Sequence, residues 1–486
     1  MNSLILEVTD RCNLNCIYCY FGDRKRKVNN MSKIIAEESI HFLLKNSPKN
    51  QRKFDIDFIG GEPFLNFSVI EHVVKICDKL KKDKGVNFNF RLTTNGTLMN
   101  DKIFSFIKNK NTKIGISLDG NEKSHDICRK FKDDNKGSHS VIISNIKKLN
   151  KSDQYYSIHS TFHRGHSSVK SNLDYFKQIG IPAYSCVPAV FSDRTNSLQL
   201  DECEVVTFSK ELVKEFKNDI LSEEGNSQNF LLKDIFLRLL SSRNRIYPCN
   251  SGRYAYGISI DGSVYPCHRF FGAEEYKIGN IREGIDHKKE EVITRISVDE
   301  RRECCTCEVR YFCGGTCYYE SLVNMGDIYK REPLSCAFSK TIINGLLKII
   351  IGLYKRNPEI LEEIFIKMST NHQEKLSMPQ KMTHIRTVIK NNDIILGRSG
   401  NAMLIDLDED GLFFNKKDTN EKYIANTTTM AIWDLLDGHR TAEQITQEIA
   451  NVCEVEFETI KDDIYGQLAA FQELGLVEEV AAESHA

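Results

Sequence analysis

The sequence has almost no net charge. Its 66 Lys and Arg stand against 67 Asp and Glu, a balance of −1. A broadly basic surface is missing, which argues against general nucleic-acid binding. Long apolar runs are missing too. The best candidate for a membrane span, Leu346 to Tyr354, is interrupted by Lys348 and falls far short of the ~20 residues a spanning helix needs. No signal-peptide pattern opens the chain, which enters a strand-like run at Leu4. The expectation is a cytoplasmic protein whose partners include no nucleic acid and no membrane. Cysteine, by contrast, is abundant, with 16 residues. Without an export pattern these point to a reducing compartment and metal binding rather than disulfides. The 486 residues suffice for about three domains, and a 41% hydrophobic share allows each a sizeable core.

The chain is organised around Cys12, Cys16 and Cys19, spaced C-x3-C-x2-C directly after the apolar run Leu4–Val8. Three thiolates on one short loop suit three corners of an iron–sulfur cube. A structural zinc site wants four closed ligands, and no fourth Cys or His stands near. The fourth iron is then open to a small molecule.

Apolar strand-like runs follow at Phe54–Ile59, Phe88–Thr93, Lys113–Leu118, Tyr155–Phe162 and Tyr184–Val187. Helical patterns lie between them, for example Ile34–Leu44 and Val69–Leu80. Alternation of this kind predicts an α/β fold with parallel strands. Six units suit a partial (β/α)6, TIM-like barrel, whose site lies at the C-terminal ends of the strands. Gly60-Gly61-Glu62-Pro63 follows the second strand, and Thr94-Asn95-Gly96 the third. Ser117, Asp119 and Arg129 follow the fourth. Cys186 closes the sixth and is expected to face the cavity.

The cysteine loop, with Tyr18 before its last Cys, resembles the radical S-adenosylmethionine (SAM) family signature. The resemblance implies a [4Fe-4S] cluster on Cys12, Cys16 and Cys19 whose open iron chelates SAM. Cleavage of SAM then gives a 5′-deoxyadenosyl radical that takes a hydrogen atom from an unactivated carbon. It also implies that Gly60, Gly61, Glu62 and Pro63 approach the SAM amino group. Asn95, Ser117 and Asp119 are expected near the ribose, and Arg129 near the methionine carboxylate, for which its fork of donors is suited. His125 is expected to be structural.

From Tyr247 the composition changes. Cys249, Cys267, Cys304, Cys307, Cys313, Cys317 and Cys336 resemble the seven-cysteine pattern of the SPASM domain, which many peptide-modifying radical SAM enzymes share. That resemblance implies two auxiliary [4Fe-4S] clusters. Cys304, Cys307, Cys313 and Cys336 complete one; Cys249, Cys267 and Cys317 hold the other. Cys305 or His268 completes the second, or one iron stays open to a substrate thiolate. Cys305 beside Cys304 leaves the register open by one residue. Gly257–Gly262 is expected to form a hairpin beneath the first ligands.

A helix is expected over Phe338–Met368 with a break at Pro358, then a polar linker, Asn371–Met382. Short strands at Ile385–Ile389, Ala402–Leu407 and Lys422–Ala425 precede helices at Thr428–Leu436, Ala442–Ala450 and Phe457–Leu474. Asp437-Gly438 is expected to end the first helix and Thr441 to cap the second. This order describes a winged-helix-like domain, but an acidic last helix suits phosphate contacts poorly. The stretch from Thr428 to Leu474 resembles PqqD-like domains, which bind the leader of a ribosomally made precursor peptide as an added strand. Lys422–Ala425 and Ile460–Phe471 are the expected groove.

The expected domains are 1–205 (barrel), 206–340 (SPASM), 341–381 (spacer) and 382–486 (PqqD-like). The expected function is a peptide maturase forming thioether crosslinks, as in sactipeptides or ranthipeptides, with a reductant such as flavodoxin or ferredoxin. Carbon–carbon linkage, epimerisation and sulfatase-type formylglycine formation are the enzymatic alternatives. An iron–sulfur redox sensor with a DNA-binding tail and a non-catalytic carrier scaffold are the others.

Overall fold

The computed structural model describes residues 1–20, 29–110, 112–152, 154–191, 195–223, 225–240, 245–294, 296–307, 309–356, 358–369, 395–398, 402–406, 412–416, 422–425, 432–433, 435–453, 456–473 and 476–479. Six parallel strands form its centre: β1 (Ser3–Thr9), β2 (Lys53–Gly60), β3 (Asn87–Thr94), β4 (Lys113–Ser117), β5 (Tyr156–Phe162) and β6 (Tyr184–Pro188). They lie side by side in chain order. All six match the expected runs to within a residue or two. Leu4, Leu6 and Val8 are fully buried, and so are Glu7 and Thr9 on the other face of β1. A strand buried on both faces needs helical layers around it. Those helices are α1 (Lys33–Lys45), α2 (Phe67–Lys84), α3 (Asp101–Lys110), α4 (Glu122–Cys128), α5 (His139–Lys151) and α6 (Val169–Gln178). Local signals set their limits. Ser32 caps α1 by accepting the Ile35 N–H, and α2 stops at Gly85, whose φ of 64° is left-handed.

Two longer helices follow, α7 (Glu202–Ile220) and α8 (Phe230–Leu240). Next comes the expected hairpin, β7 (Ala255–Ile258) and β8 (Ser263–Tyr265), continued by β9 (Gly279–Asn280) and β10 (Gly284–Ile285). The sequence did not foretell where it would dock. β7 pairs in parallel with β1, so one sheet of ten strands runs β10-β9-β8-β7-β1-β2-β3-β4-β5-β6. The cysteine-rich segment is therefore built onto the free side of the strand that launches the first cysteine loop. No pairing between β1 and β6 closes this sheet among the described residues.

Three short helices, α9 (His287–Thr294), α10 (Arg310–Cys313) and α11 (Tyr318–Met325), lead to α12 (Pro333–Arg356) and α13 (Pro358–Ser369). By length and composition alone, Pro333–Tyr354 is long and apolar enough to cross a membrane. The sequence reading cut this run at Lys348, which in the helix is an exposed charge, as is Lys340. Here α12 packs against α7, α8 and α13, and 56% of its apolar stretch is buried. Helices α7 and α12 run across the expected borders at 205 and 340, and one core extends from Leu4 to Met368.

The C-terminal part has its own core around Ile432, Trp433, Ile445, Ile464 and Leu468. The expected linker and the strand at Ile385–Ile389 lie outside the described residues. Beyond them are β11 (Ile395–Arg398), β12 (Ala402–Asp406), β13 (Leu412–Lys416), β14 (Lys422–Ala425), β15 (Asp437–Thr441), α14 (Ala442–Cys453), α15 (Phe457–Glu473) and β16 (Val477–Glu479). Two antiparallel sheets result, β12-β13-β14 and β15-β11-β16. Asp437-Gly438 begins a strand instead of only ending a helix. Thr441 does cap α14: its hydroxyl accepts the Gln444 N–H at 3.2 Å while the Gln444 side chain accepts the Thr441 N–H at 2.9 Å.

Candidate active site

Cys12, Cys16 and Cys19 lie on the loop that leaves β1. The loop is held by the turn after β2, whose Gly61 N–H donates to Thr9 O at 3.0 Å and whose Glu62 N–H donates to Arg11 O at 2.7 Å. A Cβ at Gly60 would lie 2.1 Å from Thr9 O, and one at Gly61 2.3 Å from Arg11 O. The close approach that these glycines permit is thus to the backbone of the cysteine loop itself. Glu62 is fully buried. Its Oε1 accepts the Phe64 N–H and the Thr94 hydroxyl, and its Oε2 accepts the Asn95 N–H. Burial pushes its carboxyl up to about 7. With both oxygens engaged by the protein, Glu62 acts as a brace rather than the ligand contact that the motif suggested. Pro63 opens the short 3-10 turn behind it.

Asn95 is also turned inward. Its Nδ2 donates to Asn13 Oδ1 at 2.9 Å and reaches Cys12 Sγ at 3.8 Å, while its Oδ1 accepts from Thr97. The Leu14 N–H points at Cys12 Sγ at 3.4 Å. Asn95 therefore steadies a cysteine, where a ribose contact was expected. Asn13 and Thr97 complete this network and carried no signal in the sequence beyond proximity to the motifs. Ser117 ends β4 opposite His159 of β5 and is half-buried.

Asp119, Arg129 and Tyr18 form a second buried network. Asp119 takes a fork of two bonds from Arg129, at 2.8 and 3.2 Å, together with the Thr161 N–H and the Tyr18 hydroxyl. Burial, the largest single effect, raises its carboxyl, but the Arg129 charge, His125 and the hydrogen bonds from Arg129 and Tyr18 together outweigh that and hold it at about 2. Arg129 lies over the Tyr18 ring and points Nη1 at Cys16 Sγ, 4.0 Å away. Asp119 takes its Nε and Nη2, which leaves Nη1 on the side of the cysteine loop. His125 is structural, as expected. Its Nδ1 accepts the Asp119 N–H and its Nε2 meets Ser138 Oγ. Cys186 is buried, with its Sγ 3.7 Å from Ser160 Oγ.

The three thiols of the first loop sense one another's charge. Burial pushes Cys12 up to about 11 and Cys16 up to about 12. Sulfurs so placed gain by binding cationic iron. The other cysteines sort into two sets. Cys267 faces the charges of Cys317 and Cys249. Cys304 faces Cys313, Cys336 and Cys307. Cys305 belongs to neither: its thiol donates to Arg302 O at 3.1 Å. His268 Nδ1 lies 3.5 Å from Cys267 Sγ, and its ring tilts against Tyr20, the residue after Cys19. Among the described residues no three His, Cys, Asp or Glu converge tightly enough for a single metal ion. Thiols gathered within charge range but not around one point fit the corners of iron–sulfur cubes.

Family models match residues 6–186 (radical SAM superfamily), 249–308 (iron–sulfur cluster-binding domain, SPASM) and 408–477 (coenzyme PQQ synthesis protein D). A cysteine-type anaerobic sulfatase-maturating enzyme of Clostridium novyi is 30% identical over 296 residues, 58% of this chain and 77% of that one. The chain belongs to the radical SAM superfamily. It is an enzyme of the radical SAM/SPASM maturase type, with SAM and iron–sulfur clusters as its cofactors. An uncharacterized protein of Methanocaldococcus jannaschii is 45% identical over 132 residues, but the match spans only 27% of this chain and 43% of that relative. The structure of native anSMEcpe with bound AdoMet and Cp18Cys peptide has a TM-score of 0.61 to this radical SAM chain at 18% identity, over 74% of it and 98% of that chain. That likeness is one of fold.

In the C-terminal part, β14 is an edge strand of β12-β13-β14 among the described residues. The expected second wall of a groove lies on α15. Ile464, Leu468 and Phe471 of α15 are buried in the domain's own core.

Proposed function

We propose that this enzyme forms thioether crosslinks in a ribosomally made precursor peptide whose leader pairs with the edge of β14. The observation that carries the reading is the three-cysteine set. Cys249, Cys267 and Cys317 gather together, while the spare thiol nearby in sequence, Cys305, is bonded to the Arg302 carbonyl. A cluster with three cysteines keeps one iron for an outside ligand, and a peptide thiolate is a soft ligand suited to it.

The ligand sets follow the same reading: Cys12, Cys16 and Cys19 for the SAM-binding cluster, Cys249, Cys267 and Cys317 for the first auxiliary cluster, and Cys304, Cys307, Cys313 and Cys336 for the second. When bound, the first cluster and SAM supply a 5′-deoxyadenosyl radical. The chain's own residues hold the geometry. Glu62, Asn95 and the two glycines fix the cysteine loop, and Asp119 and Arg129 fix Cys16. In the net reaction a C–H and an S–H bond of the peptide give one C–S bond. One hydrogen atom leaves in 5′-deoxyadenosine, and a proton and an electron leave separately, the electron toward an external oxidant. A soluble reductant such as flavodoxin or ferredoxin starts the cycle.

Anaerobic incubation with a cysteine-bearing peptide encoded beside the gene, SAM and a reductant tests this. Loss of a hydrogen pair per site, with a cysteine now inert to alkylation, is the expected result. A peptide that loses mass while every cysteine still alkylates would sink it. The Clostridium novyi relative supports a second reading, oxidation of a cysteine to formylglycine. That product carries an aldehyde and reacts with hydrazide; a thioether does not.

A further inference from the structure

Arg301 is the largest fully buried side chain of the described core, with 0% of its surface exposed. A buried guanidinium ordinarily requires a carboxylate. Among the described residues Arg301 has none within ion-pair distance. Its Nη1 donates to Thr316 O. Its Nη2 donates to Thr316 Oγ1 at 3.2 Å, to Ser321 Oγ at 2.6 Å and to Lys330 O at 2.7 Å. Its Nε has no partner. All of these acceptors are neutral, so a positive charge sits in the interior without an opposite charge from the protein.

The surroundings indicate what answers it. Arg301 begins the turn that carries Cys304, since its carbonyl accepts the Cys304 N–H at 2.9 Å. Thr316 lies between Cys313 and Cys317, and Lys330 leads to Cys336. One guanidinium thus ties together the three segments that bear the four-cysteine set. Space for it depends on Gly315, where a Cβ would lie 2.9 Å from Nη1. The Arg301 charge also reaches the Cys304 thiol. A second cation, Arg331, donates to Cys336 Sγ at 3.2 Å.

The other two thiol sets have arginines as well, and one beside each is paired with a carboxylate. Arg129 beside Cys16 is paired with Asp119 at 2.8 Å. Arg269, 3.9 Å from Cys317 Sγ, is paired with Glu320 at 2.6 Å. Arg245, whose charge reaches Cys249 and Cys313, also has carbonyl acceptors but is only half-buried; among the described residues Arg301 is the fully buried arginine without a carboxylate.

We infer that Arg301 is the counter-charge of the cluster held by Cys304, Cys307, Cys313 and Cys336, and that it makes this cluster easier to reduce than it would be without the charge. The inference rests on the ligand sets proposed above. A four-thiolate cluster is an anion, so it supplies the charge that the protein leaves out. A cation beside the cluster then favours each added electron by simple attraction. Arg301 is a positioning residue: it touches no substrate and acts through the thiolates.

The test is potentiometric electron paramagnetic resonance on the reconstituted holoenzyme. Arg301→Gln keeps hydrogen-bonding groups and removes the charge; Arg301→Lys keeps the charge and loses the fork. In Arg301→Gln the reduced-to-oxidised ratio of this one cluster should fall about tenfold at a fixed potential, a shift of about 59 mV for a one-electron couple. The other clusters should titrate as before, and Arg301→Lys should stay near the wild type. Loss of this cluster in Arg301→Gln but not in Arg301→Lys also supports the counter-charge. An unshifted Arg301→Gln, or equal loss in both variants, overturns it. Iron analysis separates this from the ligand assignment. Cys304→Ala should lose a cluster's iron and Cys305→Ala should not. If Cys304→Ala keeps its iron, the ligand reading falls and the counter-charge with it.

Discussion

Asp119 and Arg129 meet through two hydrogen bonds, 2.8 and 3.2 Å, with both side chains buried and the Arg129 Nη1 turned to Cys16. The pair makes the cysteine loop part of the sheet, because Asp119 also takes the Thr161 N–H at the end of β5. A residue suited to binding a ligand's carboxylate binds the protein's own.

Breaking that pair from one side should be costly. Arg129→Met leaves Asp119 charged, buried and without its main partner. The expected loss is about 3–5 kcal/mol of unfolding free energy. Asp119→Asn with Arg129→Met leaves no orphaned charge, so the double variant should be more stable than Arg129→Met alone. Denaturant titration of the three proteins measures this. If the double variant is the least stable, the buried pair is not what holds the loop.

Gly61 makes a sharper claim about the loop's position. Gly61→Ala places a methyl group 2.3 Å from Arg11 O, backbone against backbone, with no flexible side chain to yield. The cysteine loop must shift. Iron bound at Cys12, Cys16 and Cys19 should drop severalfold, and 5′-deoxyadenosine formation with it, while the auxiliary clusters remain. Full iron in Gly61→Ala would show that the loop tolerates displacement.

How much of this could be read in advance follows from which forces are local. The six central strands carry apolar residues where they pack in the core, and a run such as Leu4–Val8 announces itself. Strand β15 does not. Asp437–Thr441 consists of turn-forming and polar residues, and it becomes a strand through pairing with β11. Nor does spacing reveal which donor meets which acceptor. The types of Asn95, Glu62 and Arg129 were legible, but their partners were set by the folded chain. The division of the seven cysteines came from the family resemblance; in the structure Cys267 lies within charge range of Cys317 and Cys249, and Cys304 within charge range of Cys313, Cys336 and Cys307. Arg301 had no motif to mark it, since its importance lies in missing a carboxylate.

Acid should unfold the central sheet through its histidines. Burial holds His125 at about 3 and His163 at about 4, and it lowers His139, His159 and His166 as well. A histidine whose folded pKa is depressed adds stability above its unfolded value of about 6.5. That stability is lost as pH falls from there toward the folded value. Glu62 runs the other way, because its raised pKa adds stability below about 4.5 that is lost as pH climbs to about 7. Five histidines against one glutamate should make melting temperature fall from pH 6.5 to 4.5. His125→Gln should be less stable at pH 7.5 and lose less on acidification. A wild type equally stable at both pH values would refute the neutral, buried state of these rings.

The C-terminal part should be separable from the chemistry. Its core, built on Ile432, Trp433, Ile445 and Leu468, is distinct from the core that runs to Met368. A chain lacking Met382–Ala486 should therefore keep its iron and still cleave SAM without peptide. What it should lose is the exposed edge of β14, where main-chain hydrogen bonds to an added strand give most of the affinity. Fluorescence anisotropy with a labelled leader peptide should show at least tenfold weaker binding, about 1.4 kcal/mol or more. Processing of full-length peptide should fall accordingly, with partial recovery at high peptide concentration. Undiminished leader affinity in the shortened chain would place recognition on the sheet or the cysteine-rich segment instead of on β14.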